Sequence, residues 1–253
     1  MRQSLIVVRA LVRRALNEIS RVPGAAIPGV LAPTIFMLGL SSVFGKASGL
    51  GGYGADFRTF IVPVGLLQGA GFTGAATGVN LARDIEQGWF DRLLLCPAPR
   101  TTLLTGVVAS AGLRALLPST FLLIVAFSIG VDVPTITGLL IAAVLVMGLA
   151  CAMACFSVTL ALRFRTQQAA PLMQIASFVG VLFTTSYAPK PLLTDWLRTV
   201  SDINPVTHVL EGVRQAFIGG VAWEHTWPAF LSLAGMITVL GWFAARGLRR
   251  YGV

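Results

Sequence analysis

Within eleven residues, Arg83 to Leu93, the chain places three carboxylates (Asp84, Glu86, Asp91) and two guanidinium groups (Arg83, Arg92). Asp84, Gln87 and Asp91 follow i, i+3, i+7 and share one face. Ile85, Trp89, Phe90, Leu93 and Leu94 follow i, i+4, i+5, i+8, i+9 on another. The spacing predicts an amphipathic helix over 82–100, stopped by Pro97 and Pro99. The chemistry open to it is ionic recognition. Its apolar face can press on a larger apolar body while the acids and Arg92 are offered to a soluble partner. A plain connector lying at a membrane interface has the same periodicity, so periodicity alone leaves both readings open.

No other residues assemble a reacting constellation. There is no Ser-His-Asp order, no H-E-x-x-H and no carboxylate pair within the apolar segments, so neither a catalytic site nor a metal site is expected. His208 and His225 read as solvated or interfacial side chains. Cys96, Cys151 and Cys155 lack metal-ligand spacing and form no disulfide framework. Gly49 to Gly54 satisfies G-x-G-x-x-G, but it lies between two apolar segments and not between a strand and a helix. Gly45-Lys46 is followed by Ala47, and position 40 is Leu, so there is no P-loop. The chain is expected to bind no cofactor itself. If it works with ATP, the hydrolysing subunit is another polypeptide.

The elements that position the charged stretch are oily. Of 253 residues, 55% are hydrophobic and 11% charged, against about 25% charged in soluble domains. So few charges could not cover a water-soluble surface, and the expected class is an all-α integral membrane protein. The net charge of +9 does not imply nucleic acid as a partner, because the arginines lie between apolar runs and form no basic domain. Residues 1–21 pair an apolar stripe (Leu5, Val8, Val12, Leu16, Ile19) with Arg2, Arg9, Arg13 and Arg14, which predicts a helix lying in the membrane interface. A cleaved signal peptide is not expected, since no A-x-A-like site follows a short apolar core. Six transmembrane helices are expected, at 22–44, 58–81, 102–129, 135–162, 169–187 and 226–246, each near or above the ~20 residues that cross the hydrocarbon.

Counting along these segments, thirteen basic residues fall on one side. The other side holds five, Lys46, Arg58, Lys190, Arg198 and Arg214, and Arg114 lies within a span. That asymmetry predicts cytoplasmic N- and C-termini. The segment 188–225 is the long outer loop. Leu192, Leu193, Trp196, Leu197 and Val200 recur at near-helical spacing, and so do Val209, Leu210, Val213, Phe217 and Ile218, with Pro205 between the two sets. Two short amphipathic helices follow, a re-entrant or outer hairpin before the last span.

Polar residues within the spans are candidates for a transport path: Gln68, Thr73 and Thr77 on the second, Arg114 on the third, Gln174, Ser177 and Thr184 on the fifth. Arg114 is either functional at depth or snorkels to the interface. Gly65/Gly69 and Gly74/Gly78 form small-x-x-x-small pairs, which serve either tight packing within one subunit or a subunit interface.

The pattern Glu86-x-Gly88-x-x-Asp91-Arg92-Leu93, followed by Pro97-x-x-Arg100, resembles the loop after the second span in type-2 ABC transporter permeases (daunorubicin-resistance-like exporters). "INPVTHVLEGVRQAF", with Asn204, Pro205, Glu211 and Arg214, is similar to that family's second signature. The chain has Ile85 where the family often carries a basic residue and His208 where it often carries Tyr. The resemblance covers the whole chain. It implies a single transmembrane domain, 1–253, in the plasma membrane (the bacterial inner membrane). It makes Asp84, Glu86, Gly88, Trp89, Asp91, Arg92 and Leu93 an ATPase-coupling helix. It also implies a cytoplasmic ABC ATPase carrying ATP and Mg, a second permease subunit (identical or related), and export of a hydrophobic drug, lipid or lipid-linked substrate through the bilayer. An ATP-independent secondary transporter or channel is the alternative expectation.

Overall fold

The computed structural model describes residues 7, 9–14, 17, 23–45, 56–95 and 98–251, with side chains described from 29 onward in the first long helix. Of the expected interfacial helix, residues 7, 9–14 and 17 are helical; its positions Leu5, Val8, Leu16 and Ile19 lie outside the described residues, as do Gly49 to Gly54 and Cys96.

Among the described residues nine α-helices follow: α1 (Pro23–Phe44), α2 (Phe57–Glu86), α3 (Trp89–Leu94), α4 (Arg100–Ser128), α5 (Ile136–Phe164), α6 (Ala170–Leu182), α7 (Asp195–Ile203), α8 (Pro205–Arg214) and α9 (Trp223–Arg250). Among the described residues there are no strands. Within the described residues four helices are long and apolar enough to cross a membrane: α2, α4, α5 and α9. The 30 residues of α2 rise about 45 Å, well beyond a ~30 Å hydrocarbon core. In α1 the described apolar stretch, Gly29–Phe44, is shorter than span length.

The fifth expected span, 169–187, is realised as the 13 residues of α6, about 20 Å of helix. Hydroxyl side chains stop it. Thr184 Oγ1 and Ser186 Oγ both donate to the Val181 carbonyl, at 2.7 and 2.5 Å. The Asn204 amide, arriving from the far side of α7, donates to the carbonyls of Gly180 (2.8 Å) and Phe183 (2.9 Å). These are carbonyls that a helix end leaves without a partner, and their capture lets the chain turn back inside the bundle.

α2 is the hub. Twenty of its residues are buried, and it packs against α1, α4, α5 and α6. Lipid tails are as apolar as leucine, so helices in a bilayer associate by close packing and not by hydrophobic exclusion. The α2–α5 contact shows how: a Cβ built on Gly74 would stand 2.7 Å from the Ala150 carbonyl oxygen and 2.9 Å from the Ala154 nitrogen. Of the two readings of the glycine pairs, Gly74 and Gly78 serve packing within the subunit.

The helix ends sort into two groups. At one end lie the last turns of α2, α5 and α9, the first of α4 and α6, and Arg14, joined by the contacts described below. At the other, Phe44 and Phe57 rings lie 5.4 Å apart, Arg58 reaches the Ile129 carbonyl at 3.0 Å, and α8 packs on α9 and α5. The first is called the basic end here, because the arginines concentrate there.

Candidate functional site

The expected single helix over 82–100 is three pieces. α2 continues to Glu86, the chain breaks at Gln87-Gly88, and α3 begins at Trp89. Gly88 has φ +68 and its N–H bonds the Ile85 carbonyl at 3.0 Å, the left-handed helix stop that favours glycine. Arg100 already belongs to α4, and Pro97 lies outside the described residues. Asp84 and Glu86 therefore ride on the end of a long buried helix, and Asp91, Arg92 and Leu93 on a six-residue helix jointed to it. The predicted apolar face is retained across the joint: Ile85 and Phe90 are buried, and Trp89, Leu93 and Leu94 half-buried.

Each of the three acids is held by another part of the chain. Arg14 Nη2 donates to both Asp84 oxygens, at 2.9 and 3.0 Å, and its guanidinium lies 3.6 Å above the Trp89 ring. Glu86 accepts from Thr166 Oγ1 (2.7 Å), Gln167 N (3.0 Å) and Gln167 Nε2 (2.7 Å), in the turn that follows α5. Tyr251, just past α9, donates its hydroxyl to Asp91 Oδ1 at 3.0 Å. Arg92 and Asp91 are exposed, and Leu95 is 84% exposed, an apolar side chain standing in the open beside charges. The result is a handle with one packed face and one outward face bearing Glu86, Asp91, Arg92 and Leu95.

The outer motif is built for a different purpose. Asn204 caps α8 by accepting from Val206 N (3.0 Å) while its amide closes α6. Pro205 stands at the first helical position, where its missing N–H costs nothing. Val206, Val209, Leu210 and Val213 of α8 are buried, whereas α7 buries only Ser201; of the expected outer pair, one helix is inside the bundle and one on its surface. Arg214 donates to Thr185 at the carbonyl (2.8 Å) and the hydroxyl (3.2 Å), and stacks 4.0 Å over the Phe60 ring of α2. Glu211 lies half-buried one turn earlier on α8.

The candidate path residues take different partners. Arg114, buried midway along α4, donates to Thr77 Oγ1 at 2.6 Å. Both border a pocket of about 50 Å³ that also touches Arg14, Asn80, Asp84 and Ser110. Thr77 Oγ1 in turn donates to the Thr73 carbonyl, and Thr73 Oγ1 to that of Gly69. Gln68 Nε2 donates to the Tyr187 hydroxyl at 2.9 Å. Ser177 is buried against Gly71, Thr184 is spent in the α6 stop, and Gln174 is exposed on α6. Among the described residues no group of three or more His, Cys, Asp or Glu could hold a metal ion.

Sequence reasoning missed Thr166, Gln167 and Tyr251 as partners of the handle, and Thr185 and Tyr187 as partners of Arg214 and Gln68. They stand between 29 and 160 residues from the groups they bind, and no local periodicity marks them.

An all-helical membrane bundle with a jointed, charged handle after its second long helix is the build of a transporter's membrane subunit. The sequence profile of the ABC-2 type transporter family matches residues 6–218, and the chain belongs to that family. It is a multi-pass membrane protein and a membrane subunit of an ABC transporter. It is similar to the protein named transport permease ycf38 of Cyanophora paradoxa (25% identical over 208 residues, 81% of this chain and 71% of that one). The ycf38 protein of Porphyra purpurea is likewise 25% identical, over 225 residues, 87% of this chain and 76% of that one. The protein named multidrug ABC transporter permease YbhR of Escherichia coli K12 is 22% identical over 189 residues, 71% of this chain and 50% of that one.

Proposed function

We propose that this chain is the permease half of an ATP-driven exporter, moving a hydrophobic drug, lipid or lipid-linked molecule out of the cytoplasm or the inner leaflet. The observation that carries the reading is the handle: an outward face of Glu86, Asp91, Arg92 and Leu95 on a jointed element whose other face is packed onto the bundle. The partner it fits is a cytoplasmic ABC ATPase that carries the ATP and Mg. Two permease chains, identical or related, complete the assembly. ATP draws the ATPases together, the handle follows, and α2 carries the displacement the full depth of the bundle, with α1 and α6 beside it. Such coupling requires that the ATP-bound partner interact differently with the two permease states. The arginine bias supports a cytoplasmic basic end, and the membrane of this reading is the plasma membrane. The exposed Gln174 of α6, among lipid-facing Leu172 and Ile175, suits a wall shared with the second permease chain, where the substrate passes.

The experiment is co-purification of the tagged chain from its own membranes, followed by identification of a polypeptide with a P-loop. Arg92→Glu is expected to abolish its retention while the permease still inserts; full retention overturns the docking role. Cysteine labelling supplies the topology: residue 88 reacts only from the cytoplasm and residue 195 only from outside. An ATP-independent transporter would draw on Arg114, the buried cation midway along a span, and predicts flux without any ATPase partner.

A further inference from the structure

α3 has six residues, too few for a helix to hold its own shape, and it joins α2 through a left-handed glycine. Its attitude is therefore set by what grips it. On one side Arg14 binds Asp84 and covers Trp89. On the other stands Tyr251. Its ring meets Phe90 edge-on, with centroids 5.3 Å apart at 75°, the Arg165 guanidinium lies over the ring, 4.6 Å from its centroid, and its hydroxyl donates to Asp91. The backbone around it is fixed as well. Arg100 Nη1 donates to the carbonyls of Leu248 (3.1 Å), Arg249 (3.3 Å) and Tyr251 (3.0 Å), groups that the end of α9 leaves without helical partners.

A phenylalanine would fill the same space against Phe90 and Arg165. What the hydroxyl adds is a directed bond to a carboxylate that is otherwise exposed. The bond orients that carboxylate through a neutral donor, with no second charge brought beside it.

We infer that Tyr251 is a positioning residue for the docking element: acting through Asp91, its hydroxyl fixes α3 against the basic end of α9. This rests on the docking reading above and extends it. A push on α3 then reaches α9 and α4 directly and is not lost in bending at Gly88. The last span becomes part of the moving unit, alongside α2.

The test needs no substrate. In a cysteine-free chain in nanodiscs, spin labels at Leu95 and Arg246, both exposed, report the distance between handle and α9. The wild type gives a narrow distribution. Y251F, which keeps the ring, broadens it; D91A broadens it equally; the double variant is no broader than either, since the two changes delete one bond. The thermal unfolding midpoint of Y251F stays at the wild-type value. Its retention of the co-expressed ATPase weakens by about tenfold or more, the value of a hydrogen bond to a charged group. A Y251F distribution as narrow as the wild type overturns the inference, and so does further broadening in the double variant. Failure of the docking reading shows separately, as ATPase retention that Arg92→Glu does not change.

Discussion

The two ends of the bundle use arginine and carboxylate chemistry in opposite ways. At the end opposite the basic one, polar groups are turned inward. Arg214 and Asn204 spend their donors on backbone carbonyls of the α6 stop, and α8 buries its apolar face among α5, α6 and α9. At the basic end the polar groups link separate segments near the surface: Arg14 to Asp84, Thr166 and Gln167 to Glu86, Tyr251 to Asp91. Buried hydrogen bonds to backbone are expensive to break, because the abandoned group has no water to replace its partner. Surface pairs are worth little to stability, since water stands ready to substitute. The opposite end is thus costly to open, and the links at the basic end contribute little to overall stability.

Substitutions can break this contrast. Arg214→Ala removes a guanidinium from Thr185 and from the Phe60 ring, at an expected cost of about 3 kcal/mol, read as a fall in unfolding temperature in detergent. Asn204→Ala loses the α8 cap and two α6 carbonyl bonds and costs about 2 kcal/mol by the same measure. Gly88→Ala forces a side chain into the left-handed region for about 1 kcal/mol; it barely moves the unfolding temperature but re-aims α3 and lowers ATPase retention. The smallest effect is a pH dependence. Burial first, and then the bond to Asp91, hold the Tyr251 phenol above its ordinary range. Its contribution is present below the ordinary tyrosine pKa of ~10 and is lost as pH rises through the raised folded value. Alkaline loosening of the handle, followed with the same spin labels, is expected to disappear in Y251F. Basic-end variants that unfold the protein, or variants at the opposite end that leave its unfolding temperature unchanged, would erase the distinction.

Much of this was legible in the sequence. The apolar runs 58–81, 102–129, 135–162 and 226–246 overlap α2, α4, α5 and α9, and Asn204-Pro205 marks the α7–α8 break because a proline after a capping side chain is itself a local signal. The joint at Gly88 was not legible. Ile85, Trp89 and Phe90 keep helical spacing through it because both pieces bury the same face on the same bundle, so the periodicity survives although the helix does not. The early end of α6 was hidden for a related reason. Val181 to Thr185 is apolar enough to continue a span, and what stops it is hydroxyl capture of a carbonyl and an amide from Asn204, a residue more than twenty positions away. The partners of the handle acids are more distant still, Gln167 and Tyr251 being 81 and 160 residues from the groups they hold, and only the folded chain brings them together.

The central claim is that the outward face of the handle is where an ATPase docks. A photo-crosslinking residue placed at Arg92 in intact membranes tests it most directly, with the same residue at Trp196 as the control. The account predicts an adduct from position 92 with a polypeptide that carries a P-loop, changing in yield with ATP, and no such adduct from position 196. Adducts from position 92 with lipid alone, or a P-loop chain captured from position 196, would contradict it.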